Sequence, residues 1–227
     1  MTEWFGVDCL YDRAQKPVAL LLLAHGAGAA MDSDFMNAMA AALASHSVAV
    51  LRFEFPYMQR RRGEQRKFPP DRAPKLLTAF AERVREARSL AAELSQHSNG
   101  ALPLWIGGKS MGGRMASMLA AEGNGVATQD VAGVIALGYP FHPPGKPEKT
   151  RIDHLPALTV PLLICQGERD PFGKPDEVAN YGLPERVRVH WLTSGDHDFK
   201  PLKRSGLTQE DLIEEAAATA AELIREG

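Results

Sequence analysis

Cysteine, long hydrophobic runs and net charge are all scarce in this chain of 227 residues. Two cysteines are too few for a small fold held together by several disulfides. The 26 basic and 28 acidic residues give a formal net charge of −2, which excludes a protein that is basic over its whole surface, so no nucleic-acid partner is expected. A hydrophobic share of 44% and a charged share of 24% exclude a disordered chain.

The longest apolar run, residues 18–24, is far shorter than the roughly 20 residues that span a bilayer. Residues 1–6 lack the charged start and apolar core of a signal peptide. We therefore predict a cytoplasmic protein without a membrane partner. Cys165 lies inside an apolar run, which predicts a buried thiol rather than a reactive one.

Short apolar runs alternate along the chain with patterns typical of amphipathic helices. The runs span residues 17–24, 47–53, 102–107, 131–138, 161–166 and 187–192. Most are apolar throughout, as in parallel strands covered on both faces, whereas the last alternates as an edge strand does. Helical stripes cover residues 35–43, 76–94 and 212–224, and the last of them follows a capping-box-like Thr208–Asp211.

This alternation predicts the α/β class, with a doubly wound, mostly parallel sheet of six or more strands in a three-layer αβα arrangement. The length suits one domain over residues 1–227, without a separate cap domain. Two proline-rich stretches, residues 54–74 and 139–156, fit neither periodicity and are predicted to be irregular. Since ligands of open α/β sheets bind beyond the carboxyl ends of strands, these stretches are candidate pocket walls, with plain surface loops as the alternative.

Residues 108–112 read Gly-Lys-Ser-Met-Gly, directly after a predicted buried strand. This G-x-S-x-G pattern holds a serine on a sharp strand-to-helix turn, so Ser110 is the candidate nucleophile, with a helix over residues 111–121. The same letters end a phosphate-binding loop, G-x-x-x-x-G-K-[ST]. That loop requires glycine at position 103, where this chain has Pro103, so it is rejected.

A serine nucleophile needs a histidine base and an acid that orients the base. His197 follows the last predicted strand and a glycine, so it is the candidate base. Asp170 follows the strand at 161–166 and is the candidate acid. Four other histidines lie near predicted helix ends, in a predicted strand or in an irregular stretch, so a structural or solvated role fits them better than the role of a base. They are His46, His97, His154 and His190. The alternatives for the acid are Glu168, Asp196 and Asp198.

The oxyanion hole is expected to combine the amide of Met111 with one from the loop at residues 25–28, where Ala27 is the candidate. His25 is expected to fix that loop rather than act as a base. The predicted pocket lining is His25 together with aromatic and histidine residues of the two irregular stretches: Phe55, Tyr57, Tyr139, Phe141 and His142.

Residues 59–75 carry a local net charge of +5, in contrast to the acidic remainder of the chain. They follow a candidate pocket wall, so one interpretation is that they attract anionic substrates. The alternative is a solvated charged face. The scattered histidines and cysteines form no metal-ligand pattern, so neither a metal nor another cofactor is expected.

Several motifs together resemble small α/β-hydrolases of the dienelactone-hydrolase group. The resemblance is closer to a family that groups bacterial predicted hydrolases with a testis-expressed animal protein and a scaffold subunit of a histone-acetyltransferase complex, the NSL complex. The motifs are HGAG at 25–28, FEFPY at 53–57, GGKSMGGR at 107–114, GYPFHPPGKP at 138–147 and GERD at 167–170. The resemblance implies an uncapped hydrolase with Ser110, Asp170 and His197 in the triad positions.

The residues and the resemblance together predict a serine hydrolase that cleaves a carboxylic ester or thioester through an acyl-enzyme on Ser110. Its partner would be a small-molecule substrate, with an anionic group as one option. A non-catalytic interaction module on the same fold is the alternative. A phosphoester or peptide hydrolase is a weaker third option, and no oligomeric state is predicted.

Overall fold

Eight strands form one sheet in the computed structural model, which describes residues 2–5, 9–96, 100–121 and 129–227. His97 lies outside the described residues. The strands are β1 (Thr2–Phe5), β2 (Cys9–Asp12), β3 (Ala19–Ala24), β4 (Val48–Phe53), β5 (Leu104–Lys109), β6 (Val131–Leu137), β7 (Leu162–Gly167) and β8 (Val187–Leu192). Their order is β1-β2-β4-β3-β5-β6-β7-β8. The strands from β3 to β8 are parallel, and the predicted edge strand β8 does lie at the edge.

The first two strands were not predicted, because four residues are too few to show a hydrophobic period. β2 pairs antiparallel with β4, and β1 pairs antiparallel with β2. A buried ion pair also joins β2 to β4: Arg52 Nε lies 2.7 Å from Asp12 Oδ2, and Arg52 Nη2 lies 3.0 Å from Asp12 Oδ1. Such a bidentate contact helps to fix the position of a strand of only four residues.

Helices connect and cover the strands. They are α1 (Asp34–Ser45), α2 (Pro56–Glu64), α3 (Ala73–Ser95), α4 (Met111–Ala121), the short α5 (Pro175–Val178) and α6 (Gln209–Glu226). The predicted capping box of α6 is confirmed, since Asp211 N–H donates to Thr208 Oγ1 at 3.1 Å and Thr208 N–H donates to Asp211 Oδ2 at 2.7 Å.

The prediction that all of residues 54–74 are irregular was wrong, because α2 lies within them. Pro56 occupies the first turn of α2, where its fixed φ favours a helix. Only Tyr57 and Met58 of α2 are buried, so the helix shows no apolar stripe that a periodicity search could detect. The second stretch, residues 139–156, has neither helix nor strand until a single 3-10 turn at Leu155–Ala157, as predicted.

Two hydrophobic layers lie on opposite faces of the sheet, which confirms the three-layer arrangement. Along β3, Leu20 and Leu22 face one layer while Leu21 and Leu23 face the other, which explains why the strand is apolar throughout. Helices α3 and α4 cover the first face, and α1 and α6 cover the second. In the described ranges, loops and short helices rather than a cap domain lie above the carboxyl ends of the strands.

Cys165 is buried in the second layer, as predicted, and burial raises the pKa of its thiol to about 12. None of the helices within the described ranges is both long enough and apolar enough to cross a bilayer. The cytoplasmic location stays a prediction.

Candidate active site

Ser110 lies on a tight turn between β5 and α4. Its φ of +51° is in the left-handed region, which costs a residue with a Cβ roughly 1–2 kcal/mol. Two backbone hydrogen bonds hold this conformation: Ser110 N–H donates to Leu137 O at 2.8 Å, and Arg114 N–H donates to Ser110 O at 3.1 Å. The turn therefore presents the serine side chain at the carboxyl end of a central strand, as the motif predicts.

The two glycines of the motif are required by close backbone approach. A Cβ on Gly108 would lie 2.6 Å from the carbonyl carbon of Gly112 and 2.7 Å from Ala24 O. A Cβ on Gly112 would lie 2.6 Å from His25 O. All three distances are shorter than the contacts that real Cβ atoms make, so any larger residue would push α4 away from β3 and β5.

His197 and Asp170 complete a hydrogen-bonded chain with Ser110. His197 Nε2 lies 3.0 Å from Ser110 Oγ, and His197 Nδ1 lies 2.7 Å from Asp170 Oδ2. Asp170 follows β7 and is fully buried, whereas His197 follows β8 and keeps 22% of its side chain exposed. The three residues predicted from the sequence are thus brought together at the carboxyl ends of three parallel strands, β5, β7 and β8.

A buried amide, Gln166, supports Asp170. Gln166 Nε2 donates to Asp170 Oδ2 at 3.0 Å, and the backbone N–H of Phe172 donates to Asp170 Oδ1 at 2.9 Å. The Phe172 ring also packs against the His197 ring, with 4.5 Å between centroids. Sequence reasoning missed Gln166, although a glutamine in an otherwise apolar strand is a signal for a buried polar partner.

The three alternative acids have other partners. Glu168 accepts a hydrogen bond from Ser194 N–H at 2.7 Å. Asp196 Oδ1 accepts from the backbone N–H groups of Asp198 and Lys200, both at 2.9 Å. Asp198 Oδ1 lies 3.4 Å from Lys109 Nζ. Asp170 is therefore the acid with the geometry to orient His197.

Lys109, the residue before Ser110, fastens the loop that carries His197. Its buried Nζ donates to His197 O at 2.6 Å and lies 5.2 Å from the centroid of the Phe35 ring. Burial lowers the pKa of Lys109, and the nearby carboxylates of Asp198 and Asp170 oppose this shift. Sequence reasoning missed this role, because the motif leaves the residue before the serine unspecified.

The loop at residues 25–28 is held rigidly beside Ser110. Phe55 N–H donates to His25 Nε2 at 3.1 Å, so the proton of the ring is on Nδ1, which donates to Gly26 O at 2.6 Å. Burial lowers the pKa of His25 and keeps it neutral. The Tyr57 hydroxyl donates to the carbonyls of Gly26 and Ala27, at 3.2 and 3.1 Å. The expectation that His25 fixes this loop therefore agrees with its contacts.

Met111 and Ala27, the expected oxyanion donors, belong to segments that adjoin Ser110. Met111 is the first residue of α4, and the first N–H groups of a helix have no acceptor within the helix. They also form the positive end of the helix dipole. A Cβ built on Gly26 would lie 3.8 Å from Ser110 Cβ, which places the loop of Ala27 directly against the nucleophile turn.

A cavity of about 350 Å³ opens at Ser110 and His197. Its apolar wall consists of Gly26, Ala27, Gly28, Ala29, Phe35, Met36 and Phe172. Ser33, Lys109 and Asp198 add polar groups at its border. Much of the wall therefore comes from the start of α1 and the preceding loop.

The six side chains predicted to line the pocket are almost completely buried and do not line this cavity: His25, Phe55, Tyr57, Tyr139, Phe141 and His142. Phe55 packs against Phe53, and Tyr139 packs against Phe141, with 5.1 and 4.9 Å between ring centroids. Such aromatic side chains follow strand ends but turn inward, because burying their large apolar area is favourable.

Three of the seven basic residues of the segment at 59–75 form ion pairs with acidic side chains: Arg60, Arg62 and Lys75. Arg62 lies 2.5 Å from Glu54 and 2.9 Å from Asp32, and Asp71 pairs with both Arg60 and Lys75 at 3.1 Å. None of the basic residues of this segment lines the cavity at Ser110. In the described ranges no group of three histidine, cysteine or acidic side chains is placed to hold a metal.

A second serine–histidine contact lies farther along α4. Ser117 Oγ is 2.8 Å from His154 Nε2 and 3.5 Å from the Tyr139 hydroxyl. Ser117 is fully buried, and burial, together with the charge of Arg114, lowers the pKa of His154 to about 4. Sequence reasoning left His154 in an irregular stretch and did not consider Ser117, which carries no motif.

Comparison with known proteins agrees with this fold. A solved dienelactone hydrolase from Anabaena variabilis is 19% identical, with a TM-score of 0.72 over 99% of this chain and 98% of that chain. An α/β serine hydrolase without a lid from Xanthomonas campestris is 20% identical, with a TM-score of 0.59 over 92% of this chain and 85% of that chain. The family model described as alpha/beta hydrolase domain matches residues 17–225. The chain therefore belongs to the alpha/beta hydrolase domain family.

Proposed function

We propose that this protein is a serine hydrolase that cleaves a carboxylic ester or thioester. The observation that carries the proposal is the chain of hydrogen bonds from Asp170 through His197 to Ser110, at 2.7 and 3.0 Å, beside an apolar cavity. Membership of the alpha/beta hydrolase domain family and structural neighbours described as hydrolases support this class of reaction.

In the acylation step, Ser110 Oγ forms a bond to the carbonyl carbon of the substrate while His197 Nε2 accepts the hydroxyl proton. Buried Asp170 keeps the proton of the imidazole on Nδ1 and stabilises the imidazolium. The tetrahedral intermediate collapses when the bond to the leaving alcohol or thiol breaks and His197 returns its proton to that group. Water then attacks the acyl-enzyme while His197 accepts its proton, and His197 returns that proton to Ser110 Oγ as the acid is released.

The negative oxygen of both intermediates would be held by the amides of Met111 and Ala27. Met111 contributes the first N–H of α4, and the loop of Ala27 is fixed by Tyr57 and His25 before substrate arrives. Donors that are already in place need no reorganisation in the transition state, which is why such sites are effective.

The cavity favours a compact apolar acyl group. Its volume of about 350 Å³ is at the small end of the range for ligand pockets, and its wall is mostly glycine, alanine, methionine and phenylalanine. We also propose membership of the narrower family that includes the testis-expressed protein and the NSL scaffold subunit, on the motifs at 107–114 and 138–147.

The test is a panel of p-nitrophenyl esters and acyl thioesters of increasing chain length, with wild type and Ser110→Ala. We expect turnover by wild type that peaks at short chains, and labelling by a fluorophosphonate probe only when Ser110 is present. A wild-type protein that neither turns over any of these substrates nor reacts with the probe would favour the interaction module instead.

A further inference from the structure

Two arginines meet on the side of α4 that faces the loop at 139–156. Arg114 lies one helical turn after Ser110, and its N–H donates to Ser110 O at 3.1 Å. The carbonyl of Arg151 accepts from the Tyr139 hydroxyl at 3.1 Å, and the carbonyl of Arg114 accepts from the Ser117 hydroxyl at 2.9 Å. Since those two hydroxyls are 3.5 Å apart, the backbones of both arginines are tied to one small polar cluster.

Neither guanidinium has a hydrogen-bond or ion-pair partner among residues 2–5, 9–96, 100–121 and 129–227. The Nε of Arg114 is nevertheless fully buried. Each guanidinium offers five N–H donors and cannot lose its charge, so this cluster holds two cations with most of their donors unused.

The fully buried arginine of β4 is in a different environment. Arg52 is paired with Asp12 at 2.7 Å. Around Arg114 and Arg151, in contrast, burial and the charge of Arg114 both lower the pKa of Arg151, and the neighbouring His154 is uncharged at neutral pH. Two neighbouring cations without an ion-pair partner repel each other, and an anion from outside the chain would relieve that repulsion.

We propose that Arg114 and Arg151 form a subsite for an anionic group of the substrate, a carboxylate or a phosphate. This inference rests on the proposed function, because it assigns the anion to the molecule that Ser110 attacks. Arg114 lies in the first turn of α4, about one turn after Ser110, so an anion held by this side chain would lie close to the nucleophile turn. The preferred substrate class is therefore an ester or thioester with a second, negatively charged end.

The experiment compares hydrolysis of p-nitrophenyl hydrogen adipate, which carries a free carboxylate, with that of neutral p-nitrophenyl hexanoate. The ratio of kcat/KM for the anionic and neutral esters is measured for wild type, Arg114→Gln, Arg151→Gln and Arg114→Lys. We expect each glutamine variant to lower this ratio about 10- to 100-fold, mainly through KM, because each removes a charge-assisted contact. Arg114→Lys should recover part of the ratio, since it keeps the charge but not the two-pronged geometry.

Arg186→Gln is the matched control. Arg186 is exposed and precedes β8, at the end of the sheet opposite to Ser110, so the ratio should equal that of wild type. Equal ratios in wild type and both glutamine variants at Arg114 and Arg151 would overturn the proposal.

A binding measurement separates this proposal from the proposed function. Adipate and inorganic phosphate are titrated separately in thermal unfolding of Ser110→Ala, with and without Arg114→Gln. We expect one or both anions to raise Tm only when Arg114 is present, and their relative effects show whether the site prefers carboxylate or phosphate. If the Arg114-dependent shift in Tm is seen but wild type hydrolyses no ester, the proposed function is wrong and the anion site stands. If no anion gives an Arg114-dependent shift in Tm, the anion site is wrong.

Discussion

Ser110, just before helix α4, and Ser117, inside it, each contact a histidine, and the two pairs differ in almost every other respect. Ser110 precedes the helix on a strained turn and opens into a cavity, whereas Ser117 lies inside the helix and is fully buried. His197 is backed by the buried carboxylate of Asp170 at 2.7 Å. His154 instead lies 3.4 Å from a neutral tyrosine hydroxyl, that of Tyr139. A short serine–histidine distance is therefore shared by a candidate catalytic pair and a structural one.

The electrostatics of the two histidines explain why only one suits a general base. A base must hold the serine proton as the transition state forms, so its protonated form has to be stabilised. Asp170 does this for His197. Burial and the charge of Arg114 do the opposite for His154, since they lower its pKa to about 4. We therefore assign the Ser117–His154 contact to the stability of the fold.

The largest expected contrast comes from removing each histidine. His197→Ala should lower kcat for a p-nitrophenyl ester by about 10⁴- to 10⁶-fold, as loss of a triad base does. His154→Ala should keep kcat within about fivefold of wild type but lower the free energy of unfolding, because Ser117 loses a buried partner. The measurements are initial rates and urea unfolding. A loss of turnover in His154→Ala as large as that in His197→Ala would reverse the assignment of the two pairs.

The acid of each pair provides the next contrast. Asp170→Asn should lower kcat by about 10⁴-fold, because an amide no longer holds the imidazole in the required tautomer. Asp153 is exposed and is the acidic residue whose charge favours protonation of His154. Asp153→Asn should leave kcat within about twofold, and equal initial rates for the two variants would contradict the role of Asp170.

The two serines should show opposite effects on stability and activity. Ser110→Ala should abolish turnover without lowering the free energy of unfolding. Ser117→Ala should lower that free energy by about 1–3 kcal/mol, because Oγ occupies a buried site between His154 and Arg114 O. Ester turnover and urea unfolding, measured for both variants, test these opposite effects. A stability loss confined to Ser110→Ala would mean that the wrong serine was assigned to the core.

The catalytic candidates could be predicted from the sequence because topology fixes where strands end. Ser110, Asp170 and His197 each follow an apolar run, and parallel strands deliver such residues to one edge of the sheet. The structure brings all three within hydrogen-bonding distance. The role of Lys109 could not be predicted, because it depends on a contact with His197, 88 residues farther along the chain. Gln166 contacts Asp170 only four residues away, and a glutamine in an apolar strand was a signal for a buried polar partner that sequence reasoning did not use.

The cavity wall could not be predicted because periodicity does not reveal which way a loop side chain points. Phe55 and Tyr57 follow β4 at the expected edge, yet both turn into the core. The sequence pattern predicts that Phe35 and Met36 lie on the core side of a helix. In the structure they line the cavity, because α1 begins beside the loop at residues 25–28. Helix α2 was missed for a related reason, since its charged sequence carries no apolar stripe.

The smallest expected effect that separates the two pairs is a pH dependence of stability. The folded-state pKa of His154 is about 4, below its usual value of 6.5, so the unfolded chain binds a proton more readily than the folded one. Its contribution to stability is therefore present above about pH 6.5 and is lost as the pH falls toward 4. Because the side chain is partly exposed, solvent screening reduces the change to about 1–2 kcal/mol.

Urea unfolding of wild type and His154→Gln at pH 7 and at pH 4.5 measures this contribution. Glutamine keeps a polar partner for Ser117 but does not titrate, so the decrease in unfolding free energy between the two pH values should be smaller in the variant by about 1 kcal/mol. An identical decrease in both proteins would show that His154 titrates normally. Burial would then not disqualify His154 as a general base, and the Ser117–His154 pair would again be a rival to Ser110–His197.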